Sequence, residues 1–224
     1  MMADNVQQVL TRIAQACATA RRPVQSITLL AVSKTFDAAA VRDAYNAGLH
    51  RFGENYVQEA LDKIAALADL RAELEWHLIG PLQSNKTRVV AETFDWVHSV
   101  DRLKIAQRLS EQRPEALPPL NVCLQVNISG EASKSGLLPG DVAALARQVA
   151  ALPRLQLRGL MAVPEPGPGA LAQHRAMAVL FETLKAEGLA LDTLSLGMSA
   201  DLEDAIAAGS TMVRVGSAIF GSRG

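Results

Sequence analysis

The feature that most constrains the fold of this chain is a regular alternation of short apolar segments with longer amphipathic ones. After an opening helix predicted over residues 3–20, eight strand-like segments are each followed by a helix or a helical turn. In chain order they are ITLLAVSK, HRFGE, EWHLIG, DWVHSV, PLNVCLQVNI, LQLRGLMAV, TLSLG and TMVRVG. Most are continuous apolar runs, which is typical of parallel strands covered on both faces.

The segments between the strands have the helical spacing of apolar residues. The first, DAAAVRDAYNAG, begins after Asp37 as a plausible N-cap and ends at Gly48. Further helices are predicted over 56–69, 83–93, 101–112, 141–151, 169–187 and 201–208. Eight β–α units in about 200 residues match the lower size range of a (β/α)8 barrel.

We therefore predict one α/β domain over residues 1–224, a single TIM-type (β/α)8 barrel with an extra N-terminal helix. An open, doubly wound sheet is the alternative, because periodicity alone does not show whether a sheet closes. The Pro- and Gly-rich segment PEPGPG, residues 164–169, is interpreted as a surface loop within the domain.

Charge and composition exclude several classes of partner. The net charge is −1 and no basic block occurs, so nucleic acid is not an expected partner. No apolar run reaches the roughly 18 residues of a membrane span, and the segment MMADNVQQVL lacks the basic region of a signal peptide. We expect a cytoplasmic protein, without membrane contact, that is a monomer.

The two cysteines do not indicate a disulfide or a metal site. Cys17 and Cys123 lie far apart and outside any Cys-x-x-Cys spacing. Cys17 falls in a helix pattern and Cys123 in a strand pattern, where small buried hydrophobic residues are the expected interpretation. No metal ligands are predicted.

Small residues and a lysine gather at the carboxyl ends of three predicted strands, which is where barrels of this type place their chemistry. The first strand ends on Lys34, the seventh is followed by GMSADLEDAI with Ser199, and the eighth by Gly216 and Ser217. Small residues at a helix N-terminus can bind an anion, and the loops after strands 7 and 8 often bind phosphate in barrels. Taken alone, each loop is explained equally well by helix capping.

Strand alternation places Lys34 and Arg214 on faces that can share one pocket. Considered alone, Lys34 is interpreted as a lysine with a buried aliphatic stem and a solvated ammonium group. Arg214 alone is interpreted as a member of an ion pair. Together with two phosphate loops, they indicate a phosphorylated carbonyl compound held as a Schiff base. A buried lysine loses proton affinity and becomes a competent amine nucleophile.

Many blocks of the chain resemble one family. The YggS/PROSC family of pyridoxal 5′-phosphate homeostasis proteins is similar to this sequence from about residue 5 to the C-terminus. The blocks that carry the resemblance are AVSKT, GLHRFGENYVQEALDK, WHLIGPLQSNK, VHSVD, QVNISGEASKSG, LRGLMAV, LSLGMSADLEDAI and VRVGSAIFG.

The resemblance implies a fold-type III barrel, like the N-terminal domain of alanine racemase, with pyridoxal phosphate held as an internal aldimine. It implies attachment at Lys34, a phosphate bound by Ser199, Gly216 and Ser217, and a pyridine nitrogen facing Arg214. Relatives often carry Thr at the position of Ser217, which keeps the hydroxyl. The full set of cofactor-binding residues that it implies is Lys34, Asn55, His77, Met161, Ser199, Arg214, Gly216 and Ser217.

Four residues of these blocks also have simpler interpretations. His77 lies in mid-strand, where a satisfied core histidine is the more frequent finding. Asn55 fits a helix cap. Met161 fits core packing. Lys134 belongs to the loop SGEASKSG, residues 129–136, and is interpreted as a solvated side chain.

Three functions are consistent with these residues: a carrier or buffer of pyridoxal phosphate, an amino-acid racemase, and a Schiff-base aldolase without cofactor. Arginine cannot give a proton to the ring nitrogen, so the cofactor would be a weak electron sink. Racemases of the related fold use a tyrosine from a further C-terminal domain of the partner subunit, whereas this chain ends at Gly224 and offers Tyr56 as its candidate.

We therefore favour a cofactor carrier and assign no catalytic residue. Its partners are pyridoxal phosphate and, as candidate recipients, apo-enzymes that depend on this cofactor. An aldolase would be recognised by the absence of visible absorbance.

Overall fold

The computed structural model describes residues 1–222 and contains eight strands. They are β1 (Thr28–Val32), β2 (Arg51–Glu54), β3 (Glu75–Leu78), β4 (Trp96–Val100), β5 (Leu120–Gln125), β6 (Leu155–Met161), β7 (Thr193–Ser195) and β8 (Met212–Val215). All neighbouring pairs are parallel and follow chain order, and β8 pairs with β1 from Thr28↔Met212 to Ala31↔Val215. The predicted closed barrel is confirmed, and the open-sheet alternative is wrong.

A helix or helical turn follows every strand, as the sequence predicts, and α1 (Met2–Thr19) precedes β1. The helices that follow the strands are α2 (Ala38–Asn46), α3 (Val57–Ala66), α4 (Thr87–Thr93), α5 (Leu103–Gln112), α6 (Val142–Ala150), α7 (Ala170–Ala186), α8 (Leu202–Ala208) and α9 (Ser217–Phe220). The predicted N-cap is confirmed, because the Asp37 side chain accepts a hydrogen bond from the Ala40 N–H at 2.9 Å. Within residues 1–222, no helix has both the length and the apolar character needed to cross a membrane.

The apolar residues form two layers. The larger one fills the space between the strands and the surrounding helices and includes α1. The smaller one consists of Leu30, Trp96, Cys123, Met161 and Met212. It lies in the barrel lumen, because Leu30 is paired in register with Arg214, whose side chain lines the cavity described below.

Helix α1 precedes the barrel and packs against the two helices that follow β7 and β8. The Asn5 amide donates to the Ile219 carbonyl in α9 at 2.9 Å. Arg12 donates to the Ser199 carbonyl at 3.0 Å and to both carboxylate oxygens of Glu203 at 2.9 Å. The extra N-terminal helix is therefore bonded to the loop after β7 and to α9, which begins at Ser217.

Both cysteines are buried, as expected. Cys17 and Cys123 are each 0% exposed and neither forms a disulfide. Burial raises the pKa of both thiols, that of Cys123 to about 12. Among the described residues, no group of His, Cys, Asp and Glu side chains could hold a metal ion.

Candidate functional site

A cavity of about 550 Å³ opens at the carboxyl ends of the strands. Its walls come from segments at the ends of six strands: β1, β2, β3, β6, β7 and β8. Seven of the eight predicted site residues line it: Lys34, Asn55, Met161, Ser199, Arg214, Gly216 and Ser217. The topology therefore collects in one place residues that lie up to 183 positions apart in the sequence, from 34 to 217.

Lys34 lies in a turn just beyond β1, which ends at Val32 rather than continuing to the lysine as the sequence suggested. The turn closes with a hydrogen bond from the Phe36 N–H to the Ser33 carbonyl at 3.1 Å. The next residue, Thr35, has φ of +69°, a conformation that costs energy for a β-branched side chain. Such a backbone persists only where surrounding contacts hold it.

A buried ion-pair cluster provides those contacts. The Lys63 ammonium lies 2.7 Å from the Glu54 carboxylate, 2.7 Å from Glu59 and 2.7 Å from the Ser33 carbonyl. The Ser33 hydroxyl also donates to Glu54 at 2.5 Å, and the Thr35 N–H donates to Glu59. The cluster is thus hydrogen-bonded to Ser33 and Thr35, the residues on either side of Lys34.

Burial of the Glu54 carboxylate dominates the electrostatics of this cluster. Glu54 is 0% exposed and Lys63 is 4% exposed. Burial raises the pKa of Glu54, and the hydrogen bonds from Lys63 and Ser33 oppose that shift. The spacing of four residues between Glu59 and Lys63 is typical of an ion pair within a helix. No sequence pattern predicts the contact of Lys63 with Glu54.

The loop after β7 is held in place from several sides. Gly197 has φ of +96°, and a side chain there would place its Cβ 2.5 Å from the Cβ of Ala205. Asp201 accepts from the Met198 N–H at 2.7 Å and pairs with His174 at 2.8 Å. Although burial alone would raise the pKa of Asp201, these hydrogen bonds bring it below its ordinary value.

The loop after β8 approaches β1 closely. A Cβ added at Gly216 would lie 3.1 Å from the Val32 carbonyl oxygen, so this position favours glycine. Ser217, the first residue of α9, is exposed at the cavity wall. The first N–H groups of a helix have no intrahelical partner, and with the hydroxyls of Ser199 and Ser217 they are suitable donors for a phosphate.

Arg214 reaches the cavity from the barrel lumen and is 4% exposed. Its guanidinium donates to the Ser195 carbonyl and hydroxyl at 2.8 Å each and to the Ala162 carbonyl at 2.9 Å. Burial lowers its pKa to about 10, so it remains a cation at neutral pH. The partners are therefore neutral oxygens, not the carboxylate that an ordinary ion pair would supply.

Asn55 and the apolar residues complete the wall. The Asn55 side-chain oxygen is buried without a hydrogen-bond partner among the described residues. An orphaned buried acceptor costs free energy unless a ligand or water satisfies it. Met161, Val32 and Ile79 provide apolar surface on which a planar ring can lie.

His77 does not line this cavity, contrary to the prediction. It is 0% exposed, and its ring nitrogens lie 2.8 Å from His98 and 2.7 Å from Glu75. The physical reason is its position in mid-strand, where the side chain enters the lumen below the cavity and stacks on Trp96 with ring centroids 5.0 Å apart. It is the satisfied core histidine that the sequence also allowed.

Two further side chains lie outside this cavity. Tyr56 is 56% exposed and is not among the lining residues. Lys134 lines a neighbouring cavity of about 260 Å³ that shares Asn55 with the first, and its ammonium lies 3.6 Å from Glu131 and 3.8 Å from Glu165.

The donors, the cation and the apolar walls fit a planar phosphorylated aldehyde. A lysine, two serine hydroxyls, the start of α9 and an arginine all line the same space. Such an arrangement can hold a carbonyl compound covalently, bind its phosphate, and donate a hydrogen bond to a ring acceptor.

Comparison with known families gives a consistent result. The family model described as alanine racemase, N-terminal domain, matches residues 8–224. A pyridoxal phosphate homeostasis protein of Pseudomonas aeruginosa is 64% identical over 222 residues, covering 99% of this chain and 96% of the relative. One of Escherichia coli strain K12 is 57% identical over 226 residues, covering 99% and 97%.

A solved structure is similar over its whole length. PipY of Synechococcus elongatus PCC7942, solved with PLP bound, has a TM-score of 0.84 and 38% identity, with 99% of this chain and 100% of that chain covered. The same protein solved without PLP has a TM-score of 0.87 and 39% identity with the same coverage.

Proposed function

The chain belongs to the pyridoxal phosphate homeostasis protein family, within the group described by the alanine racemase N-terminal domain model, and we propose on this basis that it binds pyridoxal phosphate and carries or buffers it. The observation that supports this most strongly is the convergence of Lys34, Arg214 and the two serine-bearing loops on one cavity of about 550 Å³. Pyridoxal phosphate supplies an aldehyde that condenses reversibly with amines.

Each part of the cavity then has a role toward the cofactor. Lys34 is the residue for covalent attachment, and the cluster around Lys63 fixes the turn that carries it. Ser199 and Ser217, with the backbone at Gly216, would bind the phosphate. Arg214 would donate to the ring nitrogen and keep its own proton.

Asn55 and Met161 complete the proposed binding set. The orphaned oxygen of Asn55 would accept a hydrogen bond from the cofactor, directly or through water, and Met161 would support one face of the ring. His77 is not part of this set, because its ring nitrogens are satisfied inside the lumen.

We also propose that the site does not catalyse amino-acid turnover efficiently. Among the lining residues within 1–222, the ionisable side chains are Lys34 and Arg214, and none is a tyrosine, a histidine or a carboxylate. A racemase needs a second acid or base opposite the lysine, and losing one such group typically costs 10²–10⁴-fold in rate.

Relatives support the carrier over the alternatives. The two curated relatives are named homeostasis proteins, and PipY has been solved both with and without PLP. A carrier must exist in both states, and its proposed recipients are apo-enzymes that need the cofactor. A phosphosugar aldolase has no counterpart among these relatives.

Covalent attachment is tested by the visible spectrum of the purified, cofactor-loaded protein. We expect an absorption band that Lys34→Ala abolishes and that Lys104→Ala, a change of an exposed lysine on α5, leaves unchanged. Borohydride reduction followed by peptide mapping should find the cofactor on the peptide that contains Lys34. Labelling of Lys134 or Lys104 in the wild-type protein instead would show that the attachment site is wrong.

The absence of efficient catalysis is tested separately. The loaded protein is incubated with L- and D-alanine and a panel of other amino acids, and racemisation and deamination are followed. Turnover of any of these amino acids in the ordinary enzyme range of about 1–10³ s⁻¹ would contradict the hypothesis that the protein is a carrier. Tyr56→Phe would then be the first variant to examine.

A further inference from the structure

A continuous line of polar side chains crosses the barrel lumen beneath the cavity. It starts at Arg214 on β8, passes to Ser195 on β7, crosses to His98 on β4, continues to His77 on β3 and ends on Glu75. The successive heavy-atom distances are 2.8, 3.2, 2.8 and 2.7 Å. The line therefore connects the cavity at one end of the barrel with the amino end of β3 at the other.

The chemistry of the two ends fixes the direction of every hydrogen bond. Arginine can only donate, so the Ser195 oxygen accepts from Arg214 and keeps both its proton and a lone pair for His98 Nδ1. An ionised Glu75 can only accept, so His77 carries its proton on Nε2. His77 Nδ1 must then accept from His98 Nε2, which leaves His98 Nδ1 free to accept from Ser195.

With both histidines neutral, the deduction from Glu75 gives them the same tautomer, with the proton on Nε2, and Ser195 then donates to His98 Nδ1. Burial lowers the pKa of His77, and it lowers that of His98 well below its ordinary value. The intermediate groups therefore carry no charge, and the line has a cation at one end and an anion at the other. Such a polarised series strengthens each of its bonds.

The charges around Glu75 favour its ionised form. Arg51 on β2 lies 3.5 Å away, and Arg158 on β6 also faces this carboxylate. Although burial alone would raise the pKa of Glu75, the hydrogen bond from His77 and these cations bring it below its ordinary value. Asp95 is the other carboxylate that acts on His77.

We propose that Ser195, His98 and His77 are positioning residues for Arg214, forming a directed hydrogen-bond chain that ties the guanidinium facing the cofactor ring to the Glu75 carboxylate at the far end of the barrel. This inference rests on the proposed function, because it assigns the chain to the cofactor-facing arginine. A buried cation without a contacting carboxylate needs such compensation. The Asp201 carboxylate supplies part of it across space, and the chain adds hydrogen-bonded support that fixes the orientation of the guanidinium.

The first experiment needs no cofactor. Two-bond ¹H–¹⁵N correlation spectra of the apo protein report the tautomer of each of the four histidines. We expect His77 and His98 to be neutral with the proton on Nε2. In Glu75→Gln, whose amide can either accept or donate, both rings should lose the single tautomer together. His174, buried but paired with Asp201 outside the chain, is the internal control and should not change.

The second experiment measures the cofactor. Ser195→Ala should increase the dissociation constant of pyridoxal phosphate about tenfold, the size expected for one hydrogen bond to a charged group. It should also shift the absorption maximum of the bound cofactor. Glu75→Gln should give a smaller increase of about two- to fivefold with a shift in the same direction. Ser110→Ala removes another buried hydroxyl, which bonds to Pro153, and should change neither quantity.

The outcomes separate the two proposals. A wild-type protein that does not bind pyridoxal phosphate would overturn the proposed function, whereas the tautomers of the apo protein still decide whether the chain exists. A proton on Nδ1 of His98, or a Glu75→Gln change that affects His77 alone, would overturn the chain. If Ser195→Ala fails to fold, the Glu75→Gln variant still tests the chain, because Glu75 lies at the rim of the barrel and its replacement leaves the core packing unchanged.

Discussion

Replacing Lys63 by Met tests the support beneath Lys34. The Lys63 ammonium lies 2.7 Å from Glu54 and 2.7 Å from Glu59, and its side chain is 5% exposed. Met keeps most of the apolar length and removes the charge, so the fully buried Glu54 loses its cation. Removing one partner of a buried pair costs about 3–5 kcal/mol. Glu59, at 30% exposure, adds little.

This cost should depend on pH in a defined direction. Burial already raises the pKa of Glu54 above its ordinary value of 4.5, and removing the Lys63 hydrogen bond raises it further. The folded variant then binds more protons than the unfolded chain between the two pKa values. The stability that Glu54 contributes to the variant is fully present below about pH 4.5, and it is lost as the pH rises through the folded pKa of Glu54. The deficit relative to wild type should therefore grow from pH 5 to pH 8.

The assay is urea unfolding of the apo protein, followed by the fluorescence of the two buried tryptophans at pH 5 and pH 8. With a urea dependence of about 3 kcal/mol per molar, the midpoint at pH 8 should fall by about 1–2 M. Adding Glu54→Gln to the variant should restore part of the loss. Arg42→Met, which breaks the exposed pair with Asp69, should leave the midpoint unchanged. An equal deficit at both pH values, or no recovery in the double variant, would refute the reasoning.

Three further results are expected. Ser199→Ala and Ser217→Ala should each weaken cofactor binding by about 1–3 kcal/mol in a fluorescence titration, and unchanged affinity in the double variant would leave only backbone donors at the phosphate. Gly197→Ala should destabilise the protein by more than about 1 kcal/mol in thermal unfolding, because φ is +96° and the added Cβ meets a neighbour at 2.5 Å. Cys17 and Cys123 should react with a thiol reagent at pH 8 only after unfolding, since both are buried and have raised pKa values; rapid reaction of the native protein would contradict this.

The order of strands and helices could be predicted because each element carries its own apolar periodicity. Closure was predicted only from the number and size of the β–α units, since it depends on the register between β1 and β8, for example Thr28 with Met212, and no local pattern encodes a contact over that separation. The gathering of Lys34, Ser199 and Ser217 in one cavity was predictable once eight units were recognised. A parallel barrel brings all its carboxyl ends to one face.

The support of the site was harder to anticipate. Glu54 and Lys63 lie in one sequence block, yet their pairing beside Ser33 depends on the packing of α3 against the barrel. His77 shows the opposite case, because its block suggested the cavity while its strand position placed it in the lumen. The role of Ser195 and His98 depends on a contact between residues 97 positions apart, across the barrel.

Helix α1 links the surface of the molecule to the proposed cofactor site. Through Asn5 and Arg12 it is bonded to α9 and to the loop after β7. If docking of α1 raises the affinity for the cofactor by some factor, bound cofactor must shift the docking equilibrium of α1 by the same factor. Amide hydrogen exchange along α1 should therefore report loading. If that coupling is present, a protein that captured α1 would weaken cofactor binding without touching Lys34.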